Sequence, residues 1–210
     1  MDFYLTTWNT QGAALLDTDK KQVLVDIYKS YRQSGIPHLF IIQEAGSKPS
    51  HTTDLASTPY ECHWLEPFDA DNNRCTLGFI VPESFPASDF HWLQLSNAPR
   101  PVGICRIDNL ATLACIHAVA SHRAASEVNR TLIALGQNSL PWILGGDMNS
   151  QPNPLPPVRC RYFAPHSATH QRGKIYDYFY ASTSISLSTP VVTNVAYSDH
   201  DPVTTRVTLW

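Results

Sequence analysis

An α/β fold of two packed sheets with helices outside is what the sequence predicts, and three observations carry it. Short strand-like apolar runs outnumber helical stretches along the whole chain. The chain opens on a strand–helix–strand unit, the usual way of setting two strands side by side in parallel or mixed order. Its 210 residues, 43% hydrophobic and 16% charged, suffice for one sizeable core and are short for two, so residues 1–210 are read as a single domain.

The elements follow in order. Phe3 to Trp8 alternates with β-prone residues, and Asp19 to Gln33 places Val23, Leu24, Ile27, Tyr28 and Tyr31 at helical spacing. His38 to Gln43 reads as a buried strand, Gly46 to Pro59 as loop, and Thr76 to Val81 as a further strand. Val102 to Ile107 and Leu110 to Val119 flank an Asp108-Asn109 turn and form a hairpin. A helix over Ala125 to Leu135 follows, then strands at 141–145, Tyr176 to Ala181 and Pro202 to Leu209. Trp142 falls in one of them and reads as core. Ser150 to Gly173, rich in Pro, Arg and His and without a period, reads as surface loop.

Five polar groups stand at the ends of apolar runs: Trp8-Asn9, Gln43-Glu44, His117, Gly146-Asp147-Met148-Asn149 and Ser198-Asp199-His200. Ends of strands in a layered core can all emerge at one edge, where sites are commonly built. Glu44, Asn9 and Asp199 suit a hard cation such as Mg²⁺, which takes carboxylate and amide oxygens and keeps several waters. Cleavage of a phosphodiester needs an activated water, stabilised charge on the phosphoryl oxygens and an assisted leaving oxygen. Two histidines and an Asp/Asn pair can supply those parts.

Composition narrows the field further. A formal charge of −3 argues against a nonspecific nucleic-acid coat protein, so a nucleic-acid partner must be held by a local basic patch. Cys62, Cys75, Cys105, Cys115 and Cys160 show no zinc-ligand spacing, which excludes a structural zinc as the working reading. Their odd number leaves at least one thiol free, and spacing leaves both a bridge-free and a bridged chain open. No stretch reaches the length of a membrane span, and the first residues carry no basic-then-apolar export signal, so the chain is expected to be cytoplasmic or to have had a signal removed.

In order and approximate spacing across nearly the whole chain, these motifs resemble the endonuclease/exonuclease/phosphatase superfamily, whose best known fold is that of pancreatic deoxyribonuclease. Within it the sequence is most similar to the catalytic B subunit of the cytolethal distending toxins. The likeness rests on Thr7-Trp8-Asn9-Thr10-Gln11-Gly12, Gln43-Glu44-Ala45-Gly46-Ser47, Arg100-Pro101-Val102-Gly103-Ile104 and His117-Ala118-Val119-Ala120. It implies a four-layered α/β sandwich, two packed mixed sheets flanked by helices, and Mg²⁺-dependent cleavage of DNA, with Mn²⁺ able to substitute. Delivery subunits of a toxin complex, secretion in mature form and action in a target-cell nucleus are implied with it. Phosphoinositide or other phosphomonoester hydrolysis on the same fold is the alternative. A catalytically dead binding module is a third reading, disfavoured by the intact motif set.

The resemblance also implies roles. Glu44 is the main metal ligand, with Asn9 and Asp199 completing or orienting the shell; Asp147 and Asn149 position the attacking water and the scissile phosphate. His117 and His200 stand on opposite sides of that phosphate as acid, base or electrostatic partner, with neither role assigned. Asp177 pairs with His200, and Glu61 is the expected partner of His117, with Glu66 competing. Arg100, Arg123 and Asn149 are the expected DNA contacts, Arg123 being displaced by one position from the family's arginine. His51, His63, His91, His122, His166 and His170 carry no motif and read as surface or packing residues. His166 and His170, with Arg159 and Arg161, read equally as a basic rim or a solvated loop.

Overall fold

The computed structural model describes residues 1–12, 17–46, 51–65, 76–96, 98 and 100–210. The elements are β1 (Asp2–Asn9), α1 (Thr18–Tyr31) continuing into a 3₁₀ turn (Arg32–Ser34), β2 (His38–Gln43), β3 (Thr52–Leu55), β4 (Thr58–Leu65) and β5 (Leu77–Pro82). They continue with β6 (Ala87–Leu93), β7 (Val102–Ile107), β8 (Ala111–His117), α2 (Ala124–Gly136), β9 (Trp142–Asp147) and β10 (Cys160–Phe163). The last are β11 (Asp177–Ser182), β12 (Ser186–Leu187), β13 (Val191–Val192) and β14 (Val203–Thr208). Among the described residues one sheet runs β12-β14-β1-β2-β5-β4-β3, with β13 also on β14, and the other runs β10-β11-β9-β8-β7-β6.

Each sheet is mixed. Among the described residues its one parallel pair, β1 with β2 or β8 with β9, has a helix in the crossover, while the other pairings are antiparallel. Burial explains why β2 reads as a continuous apolar run rather than an alternating one. Leu39 and Ile41 enter the cluster between the sheets with Phe3, Leu113, Ile143 and Phe179, whereas Phe40 and Ile42 pack against Val23, Leu24 and Ile27 of α1. On the far side, Ala114, Ile116 and Leu144 meet Val128, Leu132 and Leu135 of α2. Helix, sheet, sheet and helix therefore stack as four layers, as the resemblance implies.

The two parallel pairs also set the location of the site. A parallel pair carries both carboxyl ends to one edge: Asn9 lies opposite Gln43, and His117 opposite Asp147. Antiparallel β11 brings its first residue, Asp177, opposite Asp147, and β14 starts with Val203 opposite Thr7, leaving Ser198 to His200 near Asn9. Gly146 is demanded by this packing. Its φ of 145° is one that side chains rarely adopt, and a Cβ there would overlap the Ile116 carbonyl.

Several expectations are corrected. The loop expected over Gly46 to Pro59 contains β3 and the start of β4, although 47–50 lie outside the described residues, and Ser150 to Gly173 contains β10. Strands β4 and β6 had no counterpart in the sequence reading. Cys62, Cys105, Cys115 and Cys160 are free thiols, and Cys75 lies outside the described residues. Among the described residues no helix is long and apolar enough to cross a membrane.

Candidate active site

The strand ends open into a cavity of about 670 Å³. Asn9, Glu44, Arg100, His117, Asp147, Asn149, Asp199 and His200 all line it, and Asp177 is fully buried behind His200. Asp147, itself 1% exposed, is the hub. Its Oδ2 accepts from Asn9 Nδ2 at 3.0 Å and Asn149 Nδ2 at 3.1 Å, while Oδ1 accepts from the Asn149 backbone N–H at 2.9 Å. Burial, then the neighbouring Asp177 charge, raises the Asp147 carboxyl well above its usual range, against the opposing pull of His200. Asn149 reaches this position through a left-handed backbone, φ 45°, a conformation Asn tolerates, and its Nδ2 also donates to Ala118 O at 2.9 Å.

Glu44 follows the last residue of β2, where a left-handed φ of 51° turns the chain into the site. Thr10 Oγ1 and the Gly12 N–H hold its carbonyl at 3.0 and 2.6 Å. Asn9 Nδ2 donates to Glu44 Oε1 at 3.3 Å, and Asn9 Oδ1 accepts from the Gln11 N–H at 3.1 Å. Asn9 thus bridges two carboxylates and orients Glu44, while its own oxygen already has a protein donor.

His200 is strongly supported. Its Nδ1 lies 2.8 Å from Asp177 Oδ2, and that oxygen also accepts from Thr169 Oγ1 at 2.7 Å. Thr169 Oγ1 in turn accepts the N–H groups of Tyr176 and Asp177 at 3.0 and 3.1 Å. Trp8 Nε1 donates to the His200 carbonyl at 2.9 Å, and Ser198 Oγ accepts the His200 N–H at 3.1 Å. Burial opposes a charge on the ring, but the Asp177 hydrogen bond and the fields of Asp177, Asp147 and Asp199 outweigh it and raise the imidazole to about 9. Its Nε2 faces Asp147 Oδ2 at 3.6 Å.

His117 is different. Nε2 stands 3.5 Å from Glu44 Oε1 and 3.7 Å from Asp147 Oδ2, but buried Nδ1 has no partner among the described residues. Burial, Arg100 and His200 together hold this imidazole well below the usual value. Arg100 lies over the same turn, donating through Nη1 to the carbonyls of His117 and Ala118 at 3.3 and 3.2 Å. Glu127 of α2 braces it from below, accepting the Val119 N–H at 2.7 Å.

Two expected residues lie elsewhere. Glu61 sits in β4 with its side chain half exposed and pairs with His63 at 3.1 Å, so it does not partner His117. The strand alternation turns Cys62 and Tyr60 into the core and leaves Glu61 outward. Glu66, the competing candidate, lies outside the described residues. Arg123 stands at the N-cap position of α2, without a side-chain capping bond, and is not among the lining residues. Conversely, Gln11, His170, Arg172 and Tyr176 line the cavity, which sequence reasoning missed. For His170 the only local signal is its place beside Thr169, eight residues before Asp177; its contacts with Asp199 and His200 are tertiary.

A search with the sequence against curated proteins finds no significant match. Solved structures do match. CdtB, the biologically active subunit of cytolethal distending toxin, superposes with a TM-score of 0.71 at 22% identity, over 97% of this chain and 96% of that one. The Haemophilus ducreyi cytolethal distending toxin gives 0.66 at 21% identity over 97% of both chains. The human nocturnin catalytic domain gives 0.65 at 14% identity over 100% of this chain and 95% of that one. These likenesses show a shared fold. The sequence itself matches the model of the Endonuclease/Exonuclease/phosphatase family over residues 6–200, nearly the full chain, and the protein belongs to that family.

Proposed function

We propose that this protein is a divalent-metal-dependent phosphodiesterase that cuts the DNA backbone. The observation that carries the reading is a buried carboxylate, Asp147, with two histidines, His200 and His117, facing the same oxygen at 3.6 and 3.7 Å in one cavity. The residues fit a hard cation. Glu44 lines the cavity, and Asp199 Oδ1 is a buried oxygen without a hydrogen-bond partner among the described residues. The donors are oxygens rather than thiolates, which suits Mg²⁺ or Mn²⁺. Glu44 and Asp199 would hold the ion, with Asn9 orienting Glu44. When bound, the cation neutralises negative charge on the phosphate.

The chain's own residues supply the rest. Asp147, raised by burial and held by Asn9 and Asn149, takes a proton from the water that attacks in line, while the bond from phosphorus to the sugar oxygen opposite breaks and that oxygen takes up a proton from solvent. His200 enters charged and donates its Nε2–H to a phosphoryl oxygen, with Asp177 fixing the ring. His117 enters neutral and hydrogen-bonds the same phosphate. Arg100, anchored on two carbonyls through Nη1, lines the cavity and would meet a backbone phosphate there, the local cation that a chain of net charge −3 needs to bind DNA. By likeness to the toxin subunit, the reading extends to delivery subunits and a target-cell nucleus; this part is tested by whether cells accumulate DNA breaks when given the protein with and without candidate carriers.

The direct test is nicking of supercoiled plasmid by the purified protein in Mg²⁺ or Mn²⁺, beside EDTA and His200→Ala, with phosphate release from a phosphoinositide run in parallel. Nicking abolished in both controls is the expected result. Phosphate release without nicking moves the protein to the phosphomonoesterase reading, and silence in both assays favours a binding module.

A further inference from the structure

His170 takes no part in the chemistry proposed above, yet it lies against its centre. Its Nδ1 accepts the backbone N–H of Arg172 at 2.9 Å. A backbone amide can only donate, so Nδ1 carries no proton and the ring proton is on Nε2. That Nε2 faces Asp199 Oδ2 at 3.4 Å. The ring also packs edge-on against His200, with centroids 4.6 Å apart at 83°.

The backbone repeats the same connection. His170 pairs with His200 in an isolated β-bridge, the Gln171 N–H donates to Asp199 O at 2.9 Å, and the Asp201 N–H donates to Thr169 O at 2.8 Å. Gln171 Nε2 adds a bond to Ser198 O at 3.3 Å. The 169–174 turn therefore clasps the whole Ser198-Asp199-His200 segment. It leaves the two Asp199 oxygens unlike each other: Oδ2 faces His170, while Oδ1 is buried 3.8 Å from His200 Nε2 and has no hydrogen-bond partner among the described residues.

We infer that His170 is a positioning residue for Asp199: its Nε2–H holds Oδ2 so that Oδ1 is kept for the divalent cation. Carboxylates that bind metals are commonly fixed by a donor of this kind, and its loss typically weakens metal binding about 10- to 100-fold. Without the donor, Asp199 is free to turn its second oxygen toward the His200 Nε2–H, trading a cation ligand for an internal ion pair. The inference rests on the metal-dependent reading above.

Mn²⁺ binding to the full chain, measured as the free-ion electron paramagnetic resonance signal, separates the two. His170→Phe keeps an aromatic edge and loses the donor; His170→Gln restores an N–H near the Nε2 position. The expected result is about a tenfold weaker Mn²⁺ affinity for His170→Phe, recovery of most of it in His170→Gln, and equal melting temperatures for the two variants. Wild-type affinity in His170→Phe overturns the inference and leaves the metal-dependent reading standing, whereas absence of Mn²⁺ binding by the wild type overturns both. Equal weakening in the two variants also overturns it, because the donor would then not be what matters. If His170→Phe fails to fold, the contrast between His170→Gln and His170→Leu decides in the same way.

Discussion

His117 ends β8 and His200 lies in the segment before β14, yet they stand at nearly equal distances from one Asp147 oxygen, are each 5% exposed, and favour opposite charge states. The shared carboxylate therefore does not decide the outcome. What lies behind each ring does. Behind His200 is Asp177 at 2.8 Å, itself tied by Thr169, and the cationic form wins over burial. Behind His117 no described group answers Nδ1, Arg100 lies near, and the neutral form wins. Two copies of one side chain become two reagents through their backing.

The comparison is tested first, and with the largest effect, by removing each ring. His200→Ala and His117→Ala are each expected to lower the plasmid-nicking rate about a thousandfold, at the upper end of the range for losing one donor to transition-state charge. A residual rate within tenfold of wild type for either would take that histidine out of the chemistry.

Removing the backing alone should cost less. Asp177→Asn is expected to lower nicking about a hundredfold while the fold persists. In the metal-free protein, nuclear magnetic resonance should follow His200 titrating near 9 in the wild type and moving down in the variant, whereas His117 stays neutral through the neutral range in both. The sign is fixed by the raised value. His200 adds stability in full below about 6.5 and loses that contribution as pH rises through 9. An unmoved His200 in Asp177→Asn would remove the explanation by backing.

A third buried histidine isolates burial from carboxylates. His38 contacts Thr6 Oγ1 through Nε2 at 2.7 Å, stacks on Phe40 at 4.4 Å, and is lowered to about 3 by burial. The unfolded chain takes up a proton below 6.5 that the folded one refuses, so stability falls as pH drops from 6.5 toward 3, by about 2 kcal/mol at about pH 5. Urea unfolding against pH should show this slope in the wild type and a flatter one in His38→Gln. The smallest effect is expected from Glu61→Ala. Half exposed and paired with His63, Glu61 should leave nicking within about twofold of wild type; a large loss would restore it as the partner of His117.

The four layers were legible because β2, β8 and β9 are buried on both faces and read as apolar runs, and because α1 and α2 keep helical spacing. Strands β3, β6 and β10 were not, since each is half exposed or mixed: Ala87–Leu93 holds Ser88, Asp89 and His91 among its apolar residues. The same division runs through the site. Asn9, Glu44, His117 and Asp147 sit at or beside the ends of legible strands, and the structure brings them together. Glu61 failed because its place in the sequence says nothing about which face of β4 it takes. His170 was missed because its role exists only through a bridge to a segment 30 residues away.

Ser198 Oγ donates to Asn9 O across a separation of 189 residues, and Trp8 Nε1 reaches the His200 carbonyl. The cavity is thus closed by the joining of the first strand to the segment before the last one. A chain still being synthesised, or held unfolded by another protein, has Asn9 and Glu44 but no His200 beside them, and so carries no assembled centre. Whatever chemistry the site performs therefore requires that long-range contact, which only the nearly complete chain can make.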